Sequence, residues 1–182
     1  MKFTKLTLIF TSVSGANSLV IFRGGSRSPV FNVLKGVQSA IDDLDTAVND
    51  WTVDPATTFE ASNKLIGTIN NGTETLRGCA ELNFLEALEL LAPVDTLNTH
   101  AQNLVDDLKA KKKQIEGQGL CDIVRGQIND MDSGSKDLVE TTVSKIPVLL
   151  QGIGRAASRP VVESIESAKE DFSPTNCVNA AA

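Results

Sequence analysis

The stretch SPVFNVLKGVQSAIDDLDTAVNDW, residues 28–51, decides the fold. Ser28 followed by Pro29 is a helix start: a hydroxyl able to accept from a free backbone N–H, then a proline where no N–H is needed. Beyond it Val30, Leu34, Val37, Ile41, Leu44, Val48 and Trp51 recur at alternating steps of four and three. That spacing sets all seven on one face of an α-helix. Lys35, Asp42, Asp43 and Asp50 fall on the opposite face. A helix with one apolar stripe and one charged back is built to bury a single side against partners.

The remainder of the chain repeats this design. Asp54-Pro55 opens a second helix with Phe59, Ser62, Ile66 and Ile69 as its seam and Leu65 alongside, closing at Asn70-Asn71-Gly72. Asn83 with Glu86 three residues on is an N-cap signature ahead of Leu85, Leu88 and Leu91. Pro93 then bends or breaks the chain. The pattern resumes as Val94, Leu97, Ala101, Leu104, Leu108 and Ile115, with Gly117 and Gly119 beyond. Cys121, Val124, Ile128, Met131, Ser135, Leu138 and Thr142 mark another helix, whose centre, Ser133-Gly134-Ser135, is a poor helix former and predicts a kink or mobility. Pro147 starts the last, with Leu150, Ile153, Ala157, Val161, Ile165, Ala168 and Phe172 inward and a kink expected at Pro160. No segment alternates with the period of a strand. The fold class is all-α, an antiparallel bundle of about five amphipathic helices.

Composition fits that architecture. Of 182 residues 41% are hydrophobic but only 4% aromatic, so the core is aliphatic, and the length suits one domain. A net charge of −6 without a basic stripe argues against nucleic acid, because phosphate contacts supply most of that affinity. Residues 1–16 read as a secretory signal, from Lys2 and Lys5 through an apolar core at residues 6–13 to the small residues Ser14-Gly15-Ala16. Residues 17–28 read as a flexible leader, 29–173 as the bundle and 174–182 as a disordered tail. No other stretch has the roughly 20 apolar residues of a membrane span.

Three cysteines, Cys79, Cys121 and Cys177, in an oxidising compartment imply one disulfide and one thiol. Three pairings are open; Cys79 with Cys121 is favoured because both fall in helix connections. Asn71-Gly72-Thr73 is a glycosylation sequon at a helix end expected to be exposed.

A catalytic reading fails on inventory. The single histidine, His100, lies among Asn98, Thr99, Gln102 and Asn103, a surface context. No nucleophile elbow, zinc-protease or phosphate-loop motif is present, so no catalytic residue, metal site or cofactor is expected. The acidic residues Asp42, Asp43 and Asp45, and the pair Asp106-Asp107, lack calcium-loop spacing and read as solvated faces. The run Lys109-Ala110-Lys111-Lys112-Lys113 suits a helix C-terminus, with anionic lipid heads as the sharper alternative.

Several blocks in collinear order carry a resemblance: LDTAVNDW (44–51), LIGTINNG (65–72), ALELLAPV (87–94) and VDDLKAKK (105–112). Over roughly residues 30–172 the chain resembles the fungal hydrophobic-surface-binding protein A family, which includes cell-wall galactomannoproteins. The resemblance implies secretion or cell-wall residence, a helical bundle, and binding of fatty acids or adsorption to hydrophobic surfaces. The alternative it leaves is an interfacial adhesin that recruits a secreted hydrolase. Independently, a bundle interrupted at Pro93, at 133–135 and at Pro160 should pack imperfectly and leave a dry gap able to enclose an acyl chain. The seam residues expected to touch it are Ile41, Leu44, Ile66, Ile69, Leu88, Leu104, Leu138, Ile153 and Phe172. Ser62, Ser135 and Thr142 are the candidates for its carboxylate.

Overall fold

A computed structural model of the chain describes residues 28–180; the expected signal peptide and nearly all of the expected leader lie outside the described residues. Five long helices carry the structure: α1 (Pro29–Asp50), α2 (Ala56–Arg77), α4 (Leu91–Ala110), α6 (Cys121–Ser144) and α7 (Val148–Asp171). Two six-residue helices, α3 (Phe84–Glu89) and α5 (Lys112–Gly117), cover the two ends.

The starts follow the local chemistry. Ser28 Oγ accepts from Phe31 N at 3.3 Å with Pro29 in the first turn. Asp54 Oδ1 accepts from Ala56 N at the mouth of α2. At α3 the capping box is complete: Asn83 Oδ1 accepts from Glu86 N while Glu86 Oε2 accepts from Asn83 N at 2.8 Å. All seven residues of the α1 stripe are buried.

The long helices form a ring in the order α1, α2, α6, α7, α4. Successive long helices run antiparallel in chain order. A closed ring of five cannot alternate throughout, and three neighbouring pairs run the same way. Asp42 with His100 and Asn49 with Asp107 show α1 parallel to α4. Asn98 with Ala157 and Lys109 with Asp171 show α4 parallel to α7. Ser62 with Gln127 and Arg77 with Asp137 show α2 parallel to α6. The main core runs down the ring's axis, and a smaller cluster of Trp51, Ile115, Cys121, Phe172 and Cys177 closes the α5 end.

Several expectations require correction. Helix α2 does not close at Asn70-Asn71-Gly72 but continues to Arg77. Gly72 is there for proximity: a Cβ on it would meet Val33 Cγ1 at 2.6 Å. The sequon therefore lies within a helix, with Asn71 exposed and Thr73 buried, its hydroxyl donating to Ile69 O. Helix α6 passes unbroken through Ser133-Gly134-Ser135. Gly134 lets α2 approach, since a Cβ would stand 3.1 Å from both Ile69 Cγ2 and Asn70 Oδ1. Pro93 sits in the first turn of α4, where its missing N–H costs nothing, and the break precedes it at Leu90. Pro160 lies inside α7, which continues to Asp171; nearby, Asn98 Nδ2 donates to Ala157 O at 2.9 Å.

The disulfide is Cys121–Cys177, with Cα atoms 5.6 Å apart, and Cys79 is the free thiol. Cys79 follows α2 at the α3 end whereas Cys121 begins α6 at the α5 end, so a bundle length of about 30 Å separates the pair expected from sequence. The disulfide also corrects the free tail. Cys177 is 1% exposed, Asn179 Oδ1 accepts from Cys121 N, and Ala180 N donates to Glu116 O.

Charges hold the helices in register. Asp132, 5% exposed between α6 and α7, accepts from Lys169 Nζ at 2.6 Å. Lys136 Nζ lies 2.9 Å from its other oxygen without the alignment of a hydrogen bond. Burial works against the Asp132 charge, but the two lysines outweigh it and hold the carboxyl below its usual range. Asp45 has the opposite fate: burial first, then the neighbouring Asp107 and Asp42, push its carboxyl up. From the lysine run, Lys111 Nζ donates to Asn49 O and Trp51 O, closing the C-terminus of α1.

Candidate functional site

Inside the ring lies a cavity of about 120 Å³ lined by all five long helices. On α6 its wall runs from Val124 to Thr142, about 27 Å at the rise of an α-helix. Its walls are the apolar stripes themselves, which explains its place: five amphipathic helices turned inward meet at an axis that aliphatic side chains do not fill. Among the described residues no charged side chain lines it.

Five of the polar side chains on the wall fall into two kinds. Thr58 Oγ1 donates to Ala47 O at 3.0 Å, Ser62 Oγ to Gln127 Oε1, and Ser158 Oγ to Gly154 O at 2.9 Å. Those hydroxyls are occupied and leave the surface effectively apolar. Trp51 Nε1 and Thr142 Oγ1 are different: both are buried with no hydrogen-bond partner among the described residues. They sit near opposite ends, Trp51 toward α5 and Thr142 toward α3. A buried donor without a partner loses its hydration uncompensated, a cost of about 1–3 kcal/mol. Either atom would gain from an acceptor brought by a ligand.

Of the residues singled out from sequence, Ile41, Leu44, Ile69, Leu104 and Leu138 line the cavity, together with Ser62, Ser135 and Thr142. Four others do not. Ile66 is half-buried beside the seam, and Leu65, 3% exposed, takes the inward position. Leu88 and Ile153 are 37% and 49% exposed and line a narrow groove at the α3 end. Phe172 is wholly buried in the cluster around the disulfide. The sequence sets Trp51 on the stripe without marking a role for it at the site, and it marks neither Thr58 nor Gln127. Thr58 was accessible, being in phase with Ser62, Leu65 and Ile69; Gln127, reaching in beside Val124 and Ile128, carried no such signal. His100 is a helix-to-helix contact with Asp42 and takes no part in the cavity.

An apolar cavity on the axis of a helical ring, with isolated donors toward its ends, defines a bundle of the ligand-binding class. The chain belongs to the hydrophobic surface binding protein A family, whose model matches residues 28–144. It is 26% identical over 173 residues to a cell wall mannoprotein 1 of Aspergillus flavus, covering 94% of this chain and 63% of that protein. A cell wall mannoprotein 1 of Aspergillus fumigatus is also 26% identical, with 91% and 58% covered. The chain thus spans about three fifths of these relatives. Among solved structures it is similar to ligand binding domain 1 of the Penicillium marneffei MP1 protein, complexed with arachidonic acids, at a TM-score of 0.76 and 27% identity, covering 79% of this chain and 97% of that one. AFMP4P in complex with palmitic acid shares the fold at a TM-score of 0.73 and 18% identity, covering 79% and 97%.

Proposed function

We propose that this protein is a secreted or cell-wall-associated carrier that encloses the acyl chain of a fatty acid along the axis of its bundle and performs no catalysis. The observation that carries the reading is the cavity: apolar over nearly its whole wall, lined by no charged side chain among the described residues, and about 27 Å long. At roughly 10–15 Å³ per water-sized group, 120 Å³ holds about ten such groups. Ten methylenes at about 0.8 kcal/mol each supply about 8 kcal/mol, the micromolar scale before association costs are subtracted, so a tightly held chain is longer than this and widens the bundle. Ile41, Leu44, Ile69, Leu104 and Leu138 contact the chain in this reading. The solved relative complexed with arachidonic acids supports the ligand class. Its relatives' names support the cell wall as destination, and Asn71 is offered as a glycan site on the exposed face of α2. Adsorption to a hydrophobic surface with recruitment of a hydrolase is the second reading, favoured by the large apolar side chains exposed at the α3 end. Titration of the delipidated protein with a labelled long-chain fatty acid tests the first: saturable binding is expected, and its absence alongside strong adsorption to hydrophobic beads would replace it by the second.

A further inference from the structure

Large apolar side chains are unevenly exposed on this molecule. Phe84 and Leu85 on α3 are 56% and 65% exposed, and Val148 and Leu149 at the start of α7 are 82% and 90% exposed. All four stand at the same end of the bundle, which Leu88, Leu91 and Ile153 extend. Among the described residues, Phe84, Leu85, Val148 and Leu149 take no part in the core. Behind it lies the narrow groove walled by α3, the starts of α4 and α7 and the end of α6, with a volume of about 20 Å³. Val94, Thr142 and Ser158 line both this groove and the axial cavity. The groove therefore adjoins the cavity on the side of the exposed patch, and the unpartnered Thr142 hydroxyl stands where the two meet.

The first half of α7 also carries residues that weaken a helix. Gly152 and Gly154 fall within two turns of its start, and each costs about 1 kcal/mol relative to alanine. Gly152 has open space around it, so no close approach accounts for it. Gly154 does have such a reason: a Cβ there would press to 2.8 Å on Ile146 Cδ1, the side chain that closes the groove. Pro160 removes a further backbone donor at the far end of this segment.

We propose that the α3 end is the mouth of the cavity, that its apolar rim docks on a lipid surface, and that acyl chains pass directly from that surface into the bundle as the first half of α7 swings aside. The proposal rests on the acyl-binding reading and adds the route and the docking partner. The surface is a zwitterionic or neutral one, because the exposed Glu81 and Glu89 flank the patch in a chain of net charge −6 and would repel anionic head groups. The chain goes in tail first toward Trp51, leaving the carboxyl at Thr142.

The test is transfer of a fluorescent fatty acid from phosphatidylcholine vesicles to the protein, followed by stopped flow, beside equilibrium titration with the same acid free in solution. The transfer rate should rise with vesicle concentration, as a collisional step requires. Leu149→Glu should slow it about tenfold or more, the effect of withholding one leucine from the surface. Val53→Glu, at a site 78% exposed at the other end, should leave it unchanged. The equilibrium affinity should be the same in all three proteins. A rate independent of vesicle concentration, or equal slowing by both substitutions, overturns the mouth while leaving the carrier standing. Loss of equilibrium binding in the unaltered protein overturns the carrier itself.

Discussion

Thr142 and Trp51 show how single atoms set what the cavity accepts. Each places a buried donor without a partner at an otherwise apolar wall, and Thr142 stands at the end joined to the exposed patch. Thr142→Val should weaken binding of a free fatty acid about tenfold or more, at the scale of one lost hydrogen bond to a charged group, and leave binding of its methyl ester unchanged. Calorimetric titration with both ligands reads the difference; equal losses would mean that the carboxyl rests elsewhere. Away from the cavity, Asp132 carries the largest electrostatic commitment. Removing a buried ion partner costs about 3–5 kcal/mol, and the half-exposed lysines here reduce that to roughly 1–3 kcal/mol for Asp132→Ala. Because its carboxyl is held low, that stability is full above the ordinary carboxylate range and lost as pH falls through the folded value, below about pH 4. Asp45 has the reverse sign: its raised carboxyl favours the folded state in acid and costs stability once charged, so Asp45→Asn should stabilise the protein at pH 7 and not at pH 3. Denaturant unfolding at the two pH values checks both. Neither aspartate's role was legible in the sequence, since Lys169 beside Asp132 and Asp107 beside Asp45 come from other helices.

At the scale of the element, α1 was fully legible and α2 only in part. Seven apolar residues at steps of four and three fix a face with no competing register, and all seven are buried. Leu44→Ala should therefore cost about 2–5 kcal/mol, toward the low end because the site already borders a cavity, while Asp43→Ala on the exposed back should be nearly neutral. In α2 the residues that signalled a stop, Asn70-Asn71-Gly72, are local preferences overruled by packing: Leu76, 0% exposed, draws the helix on, and Gly72 meets Val33. Gly134 in α6 misled in the same way, its missing side chain serving the neighbour rather than a kink. Gly152 lacks such a neighbour. Gly152→Ala should raise the unfolding free energy by up to about 1 kcal/mol and slow fatty-acid transfer from vesicles; a stabilised protein with unaltered transfer would remove α7 from the gate.

Over the whole molecule, topology decides what adjacent-looking residues can do. One long helix, α4, separates Cys79 from Cys121 and carries the chain to the other end; two, α6 and α7, separate Cys121 from Cys177 and bring it back. That parity was present in the sequence once the helices were counted, whereas a reading by connection alone chose the wrong partner. The bridge closes a loop of sequence separation 56, worth about 4 kcal/mol in the chain-entropy description, so Cys177→Ser should lower stability by about 2–4 kcal/mol and free the segment after Phe172. The axial cavity was foreseen from the interruptions at Pro93, 133–135 and Pro160, but its origin is different: α6 is unbroken, and the space is what five inward aliphatic stripes leave on the axis of their ring. The most direct measurement of the account is a pair of titrations with labelled palmitate, one on the delipidated protein and one on Ala101→Phe, which puts a ring into that space from α4. The account expects saturable binding of about micromolar affinity or tighter in the first, and loss of most of that binding in the second with helicity and cooperative unfolding retained. Saturable binding of equal strength in both proteins would place the ligand outside the cavity and contradict it.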